Sequence, residues 1–196
     1  MKTVFLSGSR AISRLNMEIQ ERLDAIISQS FNILVGDANG ADKVLQGYLQ
    51  DNHYTRVTVY CSGGHCRNNV GSWDVYNVQV TSGASGRDFY TQKDRLMAMN
   101  ADYGFVLWDG KSPGSIANVI CLLKDRKSSL VYYSPEKDFV SVSTLEQLKC
   151  LLARPSFEAL SAIEKKIKLG KLLDELEPIT QKQMSFELPQ YVNQEN

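Results

Sequence analysis

Three aspartates in this sequence lie beside glycine-rich or cation-rich segments and could supply a carboxylate to a reaction. Asp37 and Asp109 each follow a short apolar run, and Asp94 lies beside Lys93. A carboxylate at such a position can accept a hydrogen bond from a ribose hydroxyl or take up a proton as a general base. These three residues are the catalytic candidates of the sequence.

Two glycine-containing segments near the N-terminus have the composition of phosphate-binding loops. The first is Ser7-Gly8-Ser9-Arg10, in which glycine allows close backbone approach and arginine can form paired hydrogen bonds to phosphate or carboxylate. An ordinary strand-to-helix turn has the same composition, so this segment alone leaves both interpretations open. The second segment is residues 36–43, where two glycines flank a turn directly before a helix, whose first amides attract anions.

The two aspartates of the second segment have different expected roles. Asp42 lies in the first turn of the expected helix, where it would cap the helix and complement its dipole. Asp37 lies at a strand end and has no such structural explanation, so the sequence favours a role for it in binding a ribose hydroxyl.

Two later segments mix cations with helix-start signals. Residues 86–95 combine cations with aromatic residues, which can meet phosphate and stack on a base, although a solvated helix start has the same pattern. Residues 109–118 contain Ser112-Pro113, a helix-start signal that puts bare amides in the next turn, but they lack the spaced glycine of a P-loop. The residues predicted to bind a ligand all lie in these four segments: Gly8, Ser9, Arg10, Gly36, Asp37, Gly40, Ala41, Asp42, Arg87, Lys93, Gly110, Ser112, Gly114, Ser115 and Asn118.

Apolar periodicity places the four segments at the ends of strands. Short apolar runs alternate with stretches of helical spacing, a β-loop-α rhythm that favours parallel strands joined by crossover helices. The predicted fold class is therefore α/β, a Rossmann-like three-layer fold with a mostly parallel sheet, followed by C-terminal helices. The expected core strands are residues 3–6, 31–35, 56–60, 103–108 and 130–133, with a further short strand at 75–80.

The composition changes after Pro135, which sets the expected domain boundary. Residues 1–135 would form a Rossmann-like nucleotide-binding domain and residues 136–196 a helical extension with a tail. In the extension, one helix is expected at 144–152 and a second from about 156 to 177. The irregular stretch at 61–86 is long enough to be a functional lid or an insertion.

Bulk composition limits the classes of partner. Lys plus Arg and Asp plus Glu number 22 each, and such a balance predicts no general attraction to nucleic acid or to a membrane. Four cysteines are few for a secreted chain of this size, so reduced thiols and a cytoplasmic protein are expected. Cys61, His65 and Cys66 fit no common zinc signature, and no metal site is predicted.

The Gly-Ser-Arg segment followed by Gly-Asp-Ala-Asn-Gly-Ala-Asp resembles the SLOG superfamily over about residues 2–133. Members of that superfamily are related to DNA-processing protein A and to the "lonely guy" phosphoribohydrolases, and the nearest branch is the YspA/YpsA-related one. The resemblance implies a Rossmann-like fold that binds nucleotides or their derivatives. It also puts Lys93 near an arginine of the hydrolases and Asn118 where they have a glutamate.

Asn118 decides between the alternatives that the resemblance leaves. An amide cannot stabilise a cationic glycosyl centre by charge or act as a general base, so a sensing or sequestering module for a small nucleotide derivative is favoured. A hydrolase of N-glycosidic bonds and a protein-interaction module are the alternatives. No cofactor is certain, a nucleotide or ADP-ribose-like ligand is expected, and a homodimer is left open because the C-terminal helices have apolar faces.

Overall fold

The protein is described here from a computed structural model, which covers residues 1–79 and 87–177, with the backbone alone for residues 87–90. The described residues form one seven-stranded sheet in the spatial order β4-β3-β2-β1-β5-β6-β7. Every neighbouring pair is parallel except β6 and β7, which are antiparallel. The strands are β1 (Thr3–Gly8), β2 (Asn32–Gly36), β3 (Val57–Ser62), β4 (Asp74–Val78), β5 (Tyr103–Trp108), β6 (Ser128–Tyr133) and β7 (Asp138–Val142).

Helices cover both faces of this sheet, which confirms the predicted Rossmann-like α/β class. The helices are α1 (Met17–Ser28), α2 (Ala41–Asp51), α3 (Arg87–Asn100), α4 (Pro113–Lys124), α5 (Leu145–Leu152), α6 (Phe157–Ile167) and α7 (Leu169–Asp174). In β1, Val4 and Leu6 pack with α1 and α2, whereas Phe5 packs on the other face with α3 and α4. A strand buried on both faces reads as a continuous apolar run, as residues 3–6 do.

The strand order creates a crevice between β1 and β5. The chain runs outward from β1 through β2 and β3 to β4, and then returns to the other side of β1 to form β5. The loops after β1 and β5 therefore leave the sheet side by side at their carboxyl ends. In open α/β sheets this reversal point is where ligands bind.

Three elements differ from the sequence-based expectation. Strand β7 was not predicted, because only Val142 of its five residues is buried and the strand gives no continuous apolar run. The helix expected from 156 to 177 is divided at Lys168, which adopts the left-handed conformation with φ 53°. Apolar spacing predicts a helix over residues 92–100, whereas α3 begins five residues earlier, at Arg87.

The C-terminal elements pack on the same sheet as the rest of the chain. Leu148, Ile163 and Leu169 belong to one buried cluster with Val106 and Trp108 of β5. The division into domains at residue 135 stays a prediction. Within the ranges 1–79 and 87–177, no helix is both long and apolar enough to cross a membrane.

Candidate functional site

A cavity of about 820 Å³ opens at the crevice between β1 and β5. Its walls come from the loop after β1, the loop after β5, the first turns of α4 and one side of α3. Gly8 and Gly114 both line it, so two of the predicted glycine turns meet at one rim. The third, Gly36, lies just behind, where an added Cβ would come within 3.0 Å of the Lys93 Nζ atom.

The loop after β5 is held rigidly by Asp109. Its Oδ1 atom accepts hydrogen bonds from the backbone amides of Lys111, at 3.1 Å, and Ser112, at 2.7 Å. Its Oδ2 atom accepts a 2.7 Å hydrogen bond from the Ser9 hydroxyl, which ties the β5 loop to the β1 loop. Asp109 therefore fixes the two loops relative to each other, in addition to lining the cavity.

The start of α4 faces the cavity and has the geometry of an anion site. Ser112 caps the helix, and its hydroxyl accepts hydrogen bonds from the amide and the hydroxyl of Ser115. An added Cβ at Gly114 would meet nothing closer than 4.0 Å, so its backbone is open to an occupant. The indole N–H of the buried Trp108 donates to the Ser112 carbonyl at 3.1 Å and supports this turn from below.

The Gly-Asp-Ala-Asn-Gly-Ala-Asp segment acts mainly as a brace for the β1 loop. Gly40 has φ 79° and lies so close to Arg10 that an added Cβ would come within 2.2 Å of the Arg10 carbonyl oxygen. The Ala41 amide donates to the Ser9 carbonyl oxygen at 3.1 Å. Asp42 accepts a 3.1 Å hydrogen bond from the Ala38 amide in the turn before α2, and α2 has no side-chain capping hydrogen bond, so the expected capping role of Asp42 is wrong. The segment that carries the resemblance thus shapes the loop that lines the cavity.

Asp37 lies in a buried ion cluster behind the cavity wall. Its Oδ1 atom accepts from Lys93 Nζ at 2.7 Å and from Arg67 Nη2 at 2.6 Å. Its Oδ2 atom accepts from the Arg67 side chain at 3.0 Å and from the Arg67 amide at 3.1 Å. Four hydrogen bonds occupy the acceptor positions of a carboxylate. Asp37 therefore anchors the segment that carries Arg67, and its predicted catalytic role stays a prediction.

The Asp37 carboxylate is stabilised in its charged form. Burial alone would raise its pKa, but the hydrogen bonds from Arg67 and the charge of Lys93 outweigh burial and hold the pKa well below the usual range. Lys93 and Asp37 are both almost fully buried. Removing one member of such a pair leaves an uncompensated buried charge, so the two residues depend on each other.

The surroundings of Asp94 disfavour the charged form of its carboxyl, unlike those of Asp37. Burial raises its pKa to about 7, the carboxylates of Asp42 and Asp37 add to the rise, and Lys93 and Arg10 oppose it. Burial also raises the pKa of Asp42, partly offset by Lys93 and by the hydrogen bond from Ala38. One cavity-lining carboxylate therefore changes its charge near neutral pH.

The floor of the cavity contains a hydroxyl without a partner among the described residues. Ser7 is 4% exposed, lines the cavity, and its Oγ atom makes no hydrogen bond. Asn118, 7% exposed, lines the same cavity. A buried hydroxyl left unpaired costs about 1–3 kcal/mol, so this floor favours an occupant that offers hydrogen bonds.

Cationic side chains outnumber carboxylates around the cavity. Among the described residues that line it, six are cationic and three are acidic, although the whole chain has no net charge. The cations are Arg10, Arg67, Lys93, Arg95, Lys111 and Lys166, and the acids are Asp42, Asp94 and Asp109. Positive charge is thus concentrated at this site. The balanced charge of the whole chain predicts no general attraction to phosphate, but the local excess of cations favours phosphate binding at the cavity.

Most of the predicted site residues reach this cavity, and some stand behind it. Those that line it are Gly8, Ser9, Arg10, Asp42, Lys93, Asp94, Asp109, Ser112, Gly114, Ser115 and Asn118. Those outside the lining are Gly36, Asp37, Gly40, Ala41 and Gly110. The Arg87 side chain lies outside the described residues, since only the backbone of α3 is described there.

Four of the six cations that line the cavity were not predicted from the sequence: Arg95 and Lys111 lie within the predicted segments, whereas Arg67 and Lys166 come from distant parts of the chain. Arg67 lies in the irregular segment after β3, and Lys166 lies on α6 in the C-terminal extension. Neither lies at the carboxyl end of a strand, where the sequence pattern predicts ligand contacts. The only signal for Arg67 was the length of the 61–86 stretch, and no signal pointed to Lys166.

The expectation of reduced cysteines is wrong for one pair. Cys61 and Cys66 form a disulfide at the start of the segment that carries Arg67. The Asp37 carboxylate lies within 4.8 Å of both sulfur atoms, but sulfurs bonded to each other do not offer two thiolates to a metal. Cys121 and Cys150 are free thiols.

Comparisons with known proteins identify the fold. No family model matches the sequence, and no curated protein matches it. The structure is similar to that of DNA processing protein A from Helicobacter pylori, a protein with a single-stranded DNA binding mode, at 17% sequence identity and a TM-score of 0.51. The similarity covers 85% of this chain and 80% of that one. This chain therefore has a Rossmann-like fold of the DNA-processing-protein-A kind.

This similarity corrects two expectations drawn from the sequence. A small nucleotide-derived ligand was expected, with no direct binding of nucleic acid. The matched fold belongs to a protein that binds single-stranded DNA, which overturns both expectations. The error had a physical origin: the charge balance of the whole chain hid the local excess of cations at the cavity.

Proposed function

We propose that this protein binds single-stranded DNA at the carboxyl edge of the sheet, with backbone phosphate in the cavity between β1 and β5. The observation that carries the proposal is the excess of cations over acids, six to three, among the described side chains that line that cavity in a chain of zero net charge. Phosphate contacts supply most of the affinity in sequence-independent nucleic-acid binding. The fold shared with a single-stranded-DNA-binding protein supports the same conclusion.

The start of α4 and the β1 loop supply the phosphate contacts. The exposed side chains of Arg10 and Lys111 stand on the two loops that Ser9 and Asp109 tie together. The Gly114 amide, in the first turn of α4, adds one helix N–H donor to the same rim. We also propose that the chain belongs to the SLOG superfamily.

Direct binding measurements test the proposal. Filter binding with a labelled twelve-nucleotide thymidine strand is expected to show saturable binding at low salt, tighter than binding to a duplex of equal length. Arg10→Gln and Lys111→Gln should each weaken binding roughly fivefold, because each removes about 1 kcal/mol of phosphate contact.

Lys149→Gln is the matched control, since Lys149 is half-exposed on α5 and lines no part of the cavity. It should stay within twofold of the unsubstituted protein. If the protein binds no single strand at low salt, or if the control weakens binding as much as Arg10→Gln does, the proposal is wrong.

A further inference from the structure

A second hollow of about 490 Å³ continues from the cavity along the seam between α3 and α4. The two hollows share five lining residues, so they form one continuous depression: Thr91, Arg95, Ala117, Cys121 and Lys166. The second hollow is also lined by residues 166–168 and Leu172, at the junction of α6 and α7. The C-terminal helices, which lie outside the superfamily resemblance, thus build part of its wall.

The second hollow has the same charge character as the first. Among the described residues that line it, the cations are Arg95, Lys124, Lys166 and Lys168, and Asp125 is the acid. Lys168 is exposed at the junction. Apolar side chains lie among these cations, including Met99, which is 64% exposed. Cations beside exposed apolar surface suit a strand of linked nucleotides, because phosphates meet the cations while the apolar groups contact sugars and bases.

We infer that a single DNA strand runs from the cavity through the second hollow, so that the C-terminal helices form a second subsite for the same strand. This inference rests on the proposed function and adds the path and the length of the ligand. A short oligonucleotide occupies the cavity alone, and a longer one reaches Lys124 and Lys168. These two residues line the second hollow and not the cavity.

The test compares two strand lengths in one pair of double variants. Lys124→Gln/Lys168→Gln removes two charges from the second hollow and breaks the surface ion pair of Lys124 with Glu175. The control Lys149→Gln/Lys165→Gln removes two exposed charges outside both hollows and breaks the surface ion pair of Lys149 with Glu177. Thymidine strands of four and twelve nucleotides are the ligands, and thermal unfolding verifies that both variants fold.

The first variant is expected to bind the twelve-nucleotide strand five- to tenfold more weakly, and to bind the four-nucleotide strand within twofold of the unsubstituted protein. For the longer strand, the slope of the logarithm of the binding constant against the logarithm of the salt concentration should become shallower by about one and a half. Each lost phosphate contact removes about 0.7 from that slope. Equal effects on both strands, no effect on either, or the same loss in the control would overturn the inference. If the unsubstituted protein binds neither strand, the proposed function fails first and this inference fails with it.

Discussion

Asp94 is the residue through which pH acts on the charge of the cavity. Its pKa of about 7 lies well above the ordinary value of 3.8, chiefly because the carboxyl is buried beside Asp42. In the unfolded chain the group ionises near its ordinary value. Between about pH 4 and 7 the folded state therefore holds a proton that the unfolded state has lost, and this group makes stability fall as pH rises through that window.

We expect Asp94→Asn to remove this pH dependence. In the unsubstituted protein, DNA affinity should fall roughly fivefold from pH 6 to 8 as the cavity gains a negative charge, an effect of about 1 kcal/mol at protein-surface screening. The variant should keep a nearly flat affinity and should unfold at a higher temperature than the parent at pH 8. Asp51→Asn, on the exposed end of α2, is the control for a simple change in net charge. Parallel pH profiles for Asp94→Asn and its parent would contradict the assignment.

Asp37 lies at the strand end where the sequence predicts it, but its pairing with Arg67 was not predictable from the sequence. The sequence placed it at the end of a buried strand, and the structure agrees. Its partner Arg67 lies thirty residues further along the chain, in a segment without periodicity, so no pattern could reveal that this carboxylate is already engaged. Side-chain pairing across such separations depends on the tertiary fold, which local spacing does not encode.

At the scale of elements, the turn before α2 controls the geometry of the β1 loop. Gly40→Ala is expected to destabilise the protein by about 2 kcal/mol or more, because the residue has φ 79° and a Cβ would collide with the Arg10 carbonyl oxygen. It should also weaken DNA binding, since Arg10 must move. Chemical denaturation followed by circular dichroism measures the change.

Gly47→Ala is the natural control within the same helix. Nothing lies within 4 Å of a Cβ at Gly47, so alanine should stabilise the helix by about 0.5–1 kcal/mol. Two glycine-to-alanine changes seven residues apart should therefore have opposite signs. A loss of stability at both positions would show that the turn before α2 has no special role.

The elements that bear the cavity were largely predictable. Apolar runs followed by glycine-containing turns located β1, β2 and β5, and Ser112-Pro113 located the start of α4 within a residue. The convergence of their loops follows from parallel connectivity alone. Strand β7 and the break at Lys168 were not predictable, because an edge strand needs no apolar run and a left-handed lysine has no signature in sequence.

At the scale of the whole molecule, local and total charge lead to different expectations. A chain with no net charge should show no long-range attraction to DNA, yet the cavity holds twice as many cations as acids among its described lining residues. We expect a logarithmic salt slope between about −2 and −4 for the single strand, which corresponds to three to six phosphate contacts at about 0.7 each. Filter binding across a potassium chloride series measures it. A slope near zero would show that phosphate contacts do not carry the affinity.

The chain has two tryptophans, and one of them contacts the turn that begins α4. Trp108 lies beneath the first turn of α4, with its indole bonded to the Ser112 carbonyl, while Trp73 donates to the Tyr54 carbonyl in the segment that follows the disulfide. Replacing Trp73 with phenylalanine would leave a single indole emitter directly below the rim. Its emission maximum and quenching would then report optically on that turn, without any attached dye.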